Sequence, residues 1–297
     1  MPKMNADAEK HAFIGDVQGC ADEFDELLDQ LTNKLGADFK LHSVGDLVNR
    51  GPDNLRVLEQ MRTRVEAGRA EYVLGNHEIS LIAQYLEIRG PSSRDTLKDV
   101  LGSHEAQEWV EWLRRRPLCE LGEINRQRYV VVHASVDPEW TFEDIADRAG
   151  HVEARLGNPE MDRCRELLIQ NPIPGDVRDD FGRMVSCRSV QGGEWSSSGP
   201  EEWGGEAWHE AWRRRDHSYG VVYGHWAVQG LQVHPGSRGL DTGCVHNGPN
   251  RAGRLTAWLV GGDLTESRVR LFDLPDDDFI SVQARHHYAS TSGSRCE

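Results

Sequence analysis

Short apolar runs alternate with longer amphipathic stretches at the start of this chain. Runs at 12–15, 39–44 and 71–74 read as strands. Between the first two, Phe24, Leu27, Leu28 and Leu31 recur at helical spacing and predict a helix over 22–34. A second helix is expected over 55–67, opened by Pro52-Asp53-Asn54, and a third over 77–88. This βαβαβ run implies parallel strands with helices packed on the sheet. Further along, Trp109, Trp112 and Leu113 form a packing stripe on a predicted helix over 103–116, which Pro117 stops. A strand is predicted over 128–133, then helices over 141–156 and 159–169. Residues 171–205 are rich in Gly, Pro and Ser with little periodicity, and are expected to form a loop or lid-like insert. Strands over 218–223, 231–233, 239–240, 255–260 and 268–272 are expected to close a second sheet. From 275 the chain turns acidic and then Ser/Gly-rich, which reads as a mobile tail. The expected organisation is one α/β domain over 11–274, with an insert over about 141–217 and a tail over 275–297.

Polar residues able to ligate a cation follow five of these strands. Asp16, Asp46 and Asn76 lie 30 residues apart and 30 again, about the length of a strand–helix unit returning to a parallel strand. They stand in Gly15-Asp16-Val17-Gln18-Gly19, Gly45-Asp46-Leu47-Val48-Asn49-Arg50-Gly51 and Gly75-Asn76-His77-Glu78. Two later strands end in His133 and His225. Oxygen and imidazole donors converging on one sheet edge suit a pair of divalent cations. Asp46, central in the series, is the expected bridge. Asp16 would complete one metal site, and Asn76, His133 and His225 the other. Arg50 is placed to hold two phosphate oxygens in a fork. His77 is free to give a proton to a leaving oxygen. The expected chemistry is hydrolysis of a phosphate ester or anhydride by a metal-bound hydroxide. Taken singly, each residue has a plainer reading: an Asp as a helix cap, a buried His as core, an Arg as an ion-pair partner. The ordered set carries the metal reading.

Charge narrows the partners. With Lys+Arg 34 against Asp+Glu 49, the formal net charge is −15, which argues against duplex DNA and anionic membranes. A small phosphorylated substrate remains compatible, because bound metals and a few arginines set the local field. The six cysteines form no C-x-x-C pair, so a zinc ribbon or dithiol redox site is unsupported. The polar opening and the lack of an 18-residue apolar run point to a cytoplasmic protein with reduced thiols.

These motifs resemble the metallophosphoesterase superfamily, in its phosphoprotein-phosphatase branch, over roughly 11–262. More narrowly the chain resembles the bacterial symmetrical diadenosine tetraphosphatases. The narrower match rests on Trp112-Leu113-Arg114-Arg115-Arg116-Pro117-Leu118, His133-Ala134-Ser135-Val136-Asp137-Pro138-Glu139-Trp140, Tyr223-Gly224-His225-Trp226-Ala227 and Gly239-Leu240-Asp241-Thr242-Gly243-Cys244. The resemblance implies a four-layer αββα sandwich and two divalent metals, often manganese or cobalt. It implies cleavage of diadenosine tetraphosphate into two ADP, and by extension removal of nucleoside-tetraphosphate caps from RNA 5′ ends. It also implies a phosphate-holding arginine in the middle segment, best matched by Arg183 in Phe181-Gly182-Arg183-Met184. Trp226, where protein phosphatases usually carry Thr, could stack on a base or simply pack in the core.

Three positions depart from the superfamily pattern. Gln18 stands in place of a metal-binding His; its amide oxygen is a weaker ligand. Asn49 replaces an Asp that pairs with the catalytic His, so His77 loses a charged partner. Ser135 replaces a Gly, and its hydroxymethyl group would crowd the metal mouth or donate a hydrogen bond. The rival reading is a protein Ser/Thr or Tyr phosphatase on the same fold. A metal-dead nucleotide-sensing module is disfavoured by the intact Asp16, Asp46, Asn76, His77, His133 and His225.

Overall fold

Alternation along the strands sorts the side chains into layers. The computed structural model describes residues 10–260, 271–273 and 278–288. Its strands are β1 (His11–Ile14), β2 (Lys40–Ser43), β3 (Ala70–Tyr72), β4 (Cys119–Ile124), β5 (Gln127–Val132), β6 (Ser189–Gln191), β7 (Glu194–Ser196), β8 (Glu206–Ala207), β9 (Tyr219–Tyr223), β10 (Gln232–His234), β11 (Ser237–Gly239), β12 (Arg254–Val260) and β13 (Phe279–Gln283). One sheet runs β13-β12-β1-β2-β3 and a second β10-β11-β9-β5-β4. Phe13 of β1 and Trp258 of β12 share a buried cluster with Val131 of β5 and Val222 of β9, so these faces meet between the sheets. Their neighbours along the strands, Ala12, Ile14, Val130, Val132 and Val221, belong instead to the cluster that holds helix residues such as Phe24, Leu27, Val57 and Ile145. Side chains of period two therefore build the four expected αββα layers.

The helices of the first half follow the sequence reading closely. Ala21–Leu35 buries Phe24, Leu27, Leu28 and Leu31. Asn54–Glu66 is capped by Asp53, whose side chain accepts from Arg56 N. Asn76–Tyr85 begins directly on the third motif. β1, β2 and β3 pair in parallel, and so do β5 and β9, so two sets of strand ends open on the same side.

Several expectations need correction. The segment 171–205 is not an unstructured loop: it holds helix Val177–Ser186, strands β6 and β7, and the short helix Pro200–Trp203. Its helical periodicity is masked because Asp180 and Arg183 are buried in ion pairs with Arg148 and Asp137. Gly182 at its centre packs under Trp195, where a Cβ would come within 2.6 Å of the ring. β12 does not close the second sheet. It inserts in the first, antiparallel to β1, with Phe13 opposite Trp258. Residues 278–288, expected in a mobile tail, supply β13, whose Val282 lies opposite Leu255. Leu271–Asp273 is a 3₁₀ turn rather than strand; the rest of the predicted strand 268–272 and residues 289–297 lie outside the described residues. β4, unanticipated, pairs antiparallel with β5. Among the described residues no helix is long and apolar enough to cross a membrane.

Candidate active site

Every predicted donor lies within four residues of a strand end. Asp16 follows β1, Asp46 follows β2, Asn76 follows β3, His133 follows β5 and His225 follows β9. The first sheet thus supplies three donors and the second two. The turns that present them bend sharply. Gln18, Asp46, Asn49, Arg50 and His225 all adopt left-handed φ, between +48° and +77°. For non-glycine residues this backbone is costly and concentrates at functional sites. Two glycines make room for the carboxylates: a Cβ at Gly75 would lie 2.1 Å from Asp46 Oδ1, and one at Gly224 would lie 2.2 Å from Asp16 Oδ1.

Hydrogen-bond direction tests whether these donors suit a cation. His133 Nδ1 lies 2.9 Å from the Val44 carbonyl, an acceptor only, so that nitrogen carries the proton. His133 Nε2 is then bare, and it faces Asn76 Oδ1 at 2.9 Å. His225 repeats the pattern: Nε2 donates to the Ser186 carbonyl at 3.1 Å, leaving bare Nδ1 3.0 Å from the same Asn76 oxygen. Asp46 Oδ2 lies 3.4 Å from His133 Nε2. Two imidazole lone pairs, an amide oxygen and a carboxylate oxygen converge with no proton to share, which is the donor set a divalent cation satisfies. Asp16, Asp46 and His133 also present ligand atoms within 4.8 Å of one another, all buried. The residues present therefore fit a metal centre.

Burial dominates the site's ionisation. It pushes the carboxyl groups of Asp16 and Asp46 well above the usual range, and Asp241 adds to both shifts by repulsion. Asp241 is thus a third buried carboxylate beside Asp16. It also orders its turn, accepting from Gly243 N at 3.0 Å. Burial lowers His133 to about 4 and His77 to about 3. Glu78, fully buried and pushed up to about 7 by burial, accepts from the backbone N–H of Asp46, Leu47, Val48 and Gly75. It ties the second motif to the third. In the sequence it reads only as a residue of the Gly75–Glu78 motif.

Four arginines lie near His246, whose charge is felt at His77. Arg50, Arg94, Arg188 and Arg251 all depress His246, which burial and their charge together lower to about 4. Arg50 and Arg188 also act on Asp46. The buried Arg50 Nη1 and Arg188 Nε have no hydrogen-bond partner. Arg183 sits beside the loop that follows His133. Its guanidinium lies 2.6 Å from Asp137 and 3.7 Å from Asp179, and donates to the Gly193 carbonyl. Arg183 is thus tied to the loop that follows His133, with its buried Nε also lacking a hydrogen-bond partner, while the charge of Arg188, five residues on, reaches Asp46 and its Nη1 donates to the Ser197 carbonyl. No motif marks Arg188 in the sequence.

The remaining expectations resolve individually. Trp226 is only 8% exposed and packs edge-on to His209, which leaves little ring face for a base. Ser135 does not crowd the mouth; its hydroxyl donates to the Arg183 carbonyl at 2.8 Å. The Gln18 side chain makes no hydrogen bond among the described residues, and its backbone N–H donates to the Asp46 carbonyl at 2.8 Å. His77 Nε2 lies 3.8 Å from Asp46 Oδ2, and His77 N donates to Asp46 Oδ1 at 2.8 Å.

Comparison with known proteins places this geometry. The family described as calcineurin-like phosphoesterase matches residues 10–229. A symmetrical bis(5'-nucleosyl)-tetraphosphatase of Ralstonia nicotianae is 34% identical over 269 residues, covering 85% of this chain and 92% of that protein. One from Janthinobacterium sp. is 33% identical, covering 82% and 92%. A crystal structure of a candidate diadenosine tetraphosphatase covers 95% of this chain and 96% of its own, with TM-score 0.59 and 23% identity. A protein serine/threonine phosphatase from Saccharomyces cerevisiae shares the fold with TM-score 0.53 and 17% identity, covering 94% and 80%.

Proposed function

This chain belongs to the calcineurin-like phosphoesterases and, within them, to the symmetrical bis(5'-nucleosyl)-tetraphosphatase family, and on that premise we propose that it cleaves diadenosine tetraphosphate into two ADP. Metal-dependent phosphoester hydrolysis is the family's chemistry. The observation that carries the substrate is the pair Arg50 and Arg188, whose charges act on Asp46 and whose buried Nη1 and Nε lack partners, with Arg94 and Arg251 near the adjoining His246, in a protein of net charge −15. Guanidinium groups clustered there against the overall charge suit a polyphosphate longer than a single phosphoryl group.

Asp16, Gln18 and Asp46 would hold one divalent ion and Asp46, Asn76, His133 and His225 the other, with manganese or cobalt the proposed metals. Bound there, such ions supply Lewis acidity and an acidified water. Arg50 and Arg188 fix the phosphate oxygens. His77 presents its Nε2–H to the departing oxygen. A water oxygen bonds to phosphorus and gives up a proton to solvent as the anhydride P–O bond breaks, so one nucleoside diphosphate leaves with the electron pair and the other carries the added oxygen.

The direct test is product identity. With added manganese or cobalt, diadenosine tetraphosphate is expected to yield ADP as its nucleotide product, resolved by chromatography. An RNA with a 5′ nucleoside-tetraphosphate cap offers the same anhydride and serves as a second proposed substrate. Dominant ATP plus AMP, or phosphopeptide turnover far exceeding dinucleotide turnover, would overturn the proposal.

The two arginines of the insert separate by their defects. Arg188→Ala removes a charged hydrogen-bond donor worth roughly 1.5–3 kcal/mol, so kcat/KM is expected to fall about 10- to 100-fold at unchanged melting temperature. Arg183→Ala leaves Asp137 and Asp179 without their guanidinium partner, so it should lower the melting temperature first. If the two variants exchange these phenotypes, the assignment is reversed.

A further inference from the structure

Asn49 stands where a carboxylate would hold the catalytic histidine, and its surroundings fix how its amide points. Its Oδ1 accepts from Arg50 N at 2.9 Å and Thr96 N at 3.0 Å. Its Nδ2 lies 3.0 Å from Asp95 Oδ1 and 2.8 Å from His77 Nδ1. Turning the amide over would set its oxygen against the Asp95 carboxylate and its NH₂ against two backbone N–H groups. Only one orientation satisfies all four contacts. Asn49 therefore donates to His77 Nδ1, and the ring proton is on Nε2, the nitrogen facing Asp46 Oδ2. A ring protonated on both nitrogens would set N–H against N–H at Nδ1.

Asp95 is held as firmly as the amide it orients. Its side chain is 3% exposed. It accepts from Ser92 N at 2.8 Å, Gln84 Nε2 at 2.9 Å and Arg89 Nη2 at 3.2 Å. A buried, anchored carboxylate polarises the Asn49 NH₂ and strengthens the bond it passes on.

We propose that Asp95, acting through Asn49, is a positioning residue that holds His77 as an Nε2–H hydrogen-bond donor, and that this tunes the site to phosphoric anhydrides over alkyl phosphomonoesters. The proposal rests on the hydrolase reading above. A hydrogen bond suffices for a departing nucleoside diphosphate, whose terminal phosphate is already a weak base near neutral pH. An alkoxide leaving from a phosphoserine is a strong base and needs a full proton, which a ring lacking Nδ1–H supplies poorly.

The test exchanges the two groups. In Asn49→Asp/Asp95→Asn, the carboxylate accepts from Arg50 N, Thr96 N and a protonated His77 Nδ1, while the new amide at 95 donates to it. ¹⁵N NMR of the histidine rings, in protein freed of paramagnetic ions and assigned with His77→Gln, is expected to show the Nε2–H tautomer in the wild type. The double variant should carry protons on both nitrogens. Its kcat/KM ratio for a phosphoserine peptide over diadenosine tetraphosphate should rise by at least ~10-fold. An Nδ1–H or doubly protonated His77 in the wild type, or an unchanged ratio in a double variant that folds, would overturn the relay. If the double variant fails to fold, the wild-type tautomer decides. Failure of the wild type to release ADP would sink the proposed activity while leaving the tautomer measurement standing.

Discussion

Replacing Asp46 by Asn is expected to remove metal and activity together. Asp46 Oδ2 faces the bare Nε2 of His133 at 3.4 Å, and Oδ1 accepts from His77 N. The carboxylate is the charge that draws a cation among the neutral imidazoles and the Asn76 amide. An Asn at this position can turn its NH₂ toward His133 Nε2 and satisfy that lone pair internally. Removing even outer groups of a metal site costs about 10- to 100-fold in affinity, so losing this carboxylate should cost at least ~100-fold. Metal analysis after desalting should find substoichiometric ions, and turnover should fall in proportion. Thermal melts give an independent readout. A cation that binds only the folded protein raises the wild-type melting temperature. The variant should lose that increment yet melt no lower than wild type in chelator, because a buried carboxyl has been removed. Wild-type stoichiometry and rate in the variant would overturn the two-metal assignment.

His77→Ala should reduce kcat by roughly 10²–10³-fold, the size of losing one hydrogen bond to charge that develops in the transition state. Metal content should be retained. His77 Nε2 lies 3.8 Å from Asp46 Oδ2, against 3.4 Å for His133 Nε2, and His77 Nδ1 is engaged by Asn49. KM should change little, since the bond strengthens as the leaving oxygen gains charge. The backbone N–H of residue 77 still donates to Asp46, so the second and third motifs remain joined. Rescue of the rate by excess metal would show that His77 acts through the ions rather than on the substrate.

The sequence made the donors legible because each lies just beyond a strand whose apolar pattern is local. Asp16, Asp46 and Asn76 could be placed from the βα spacing alone. Asp95, which reaches His77 only through Asn49, could not. Arg183 was legible from its neighbourhood in the sequence, but its pairing with Asp137, 46 residues back in the loop after His133, was not.

What the sequence determined by itself was which polar residues stand at the strand ends and the order in which they are delivered. Periodicity, glycine punctuation and strand-end residues are short-range properties, and they agree across the first half of the chain. The tertiary structure alone decided which sheet receives β12 and β13, which partners Arg183 and Arg188 find, and which nitrogen of each histidine is bare. Each of these depends on residues far apart in the chain: His11 lies opposite Val260, His133 Nδ1 is answered by the Val44 carbonyl, and His225 Nε2 by Ser186. A buried polar group takes the partner that folding brings to it, and no local pattern encodes that partner.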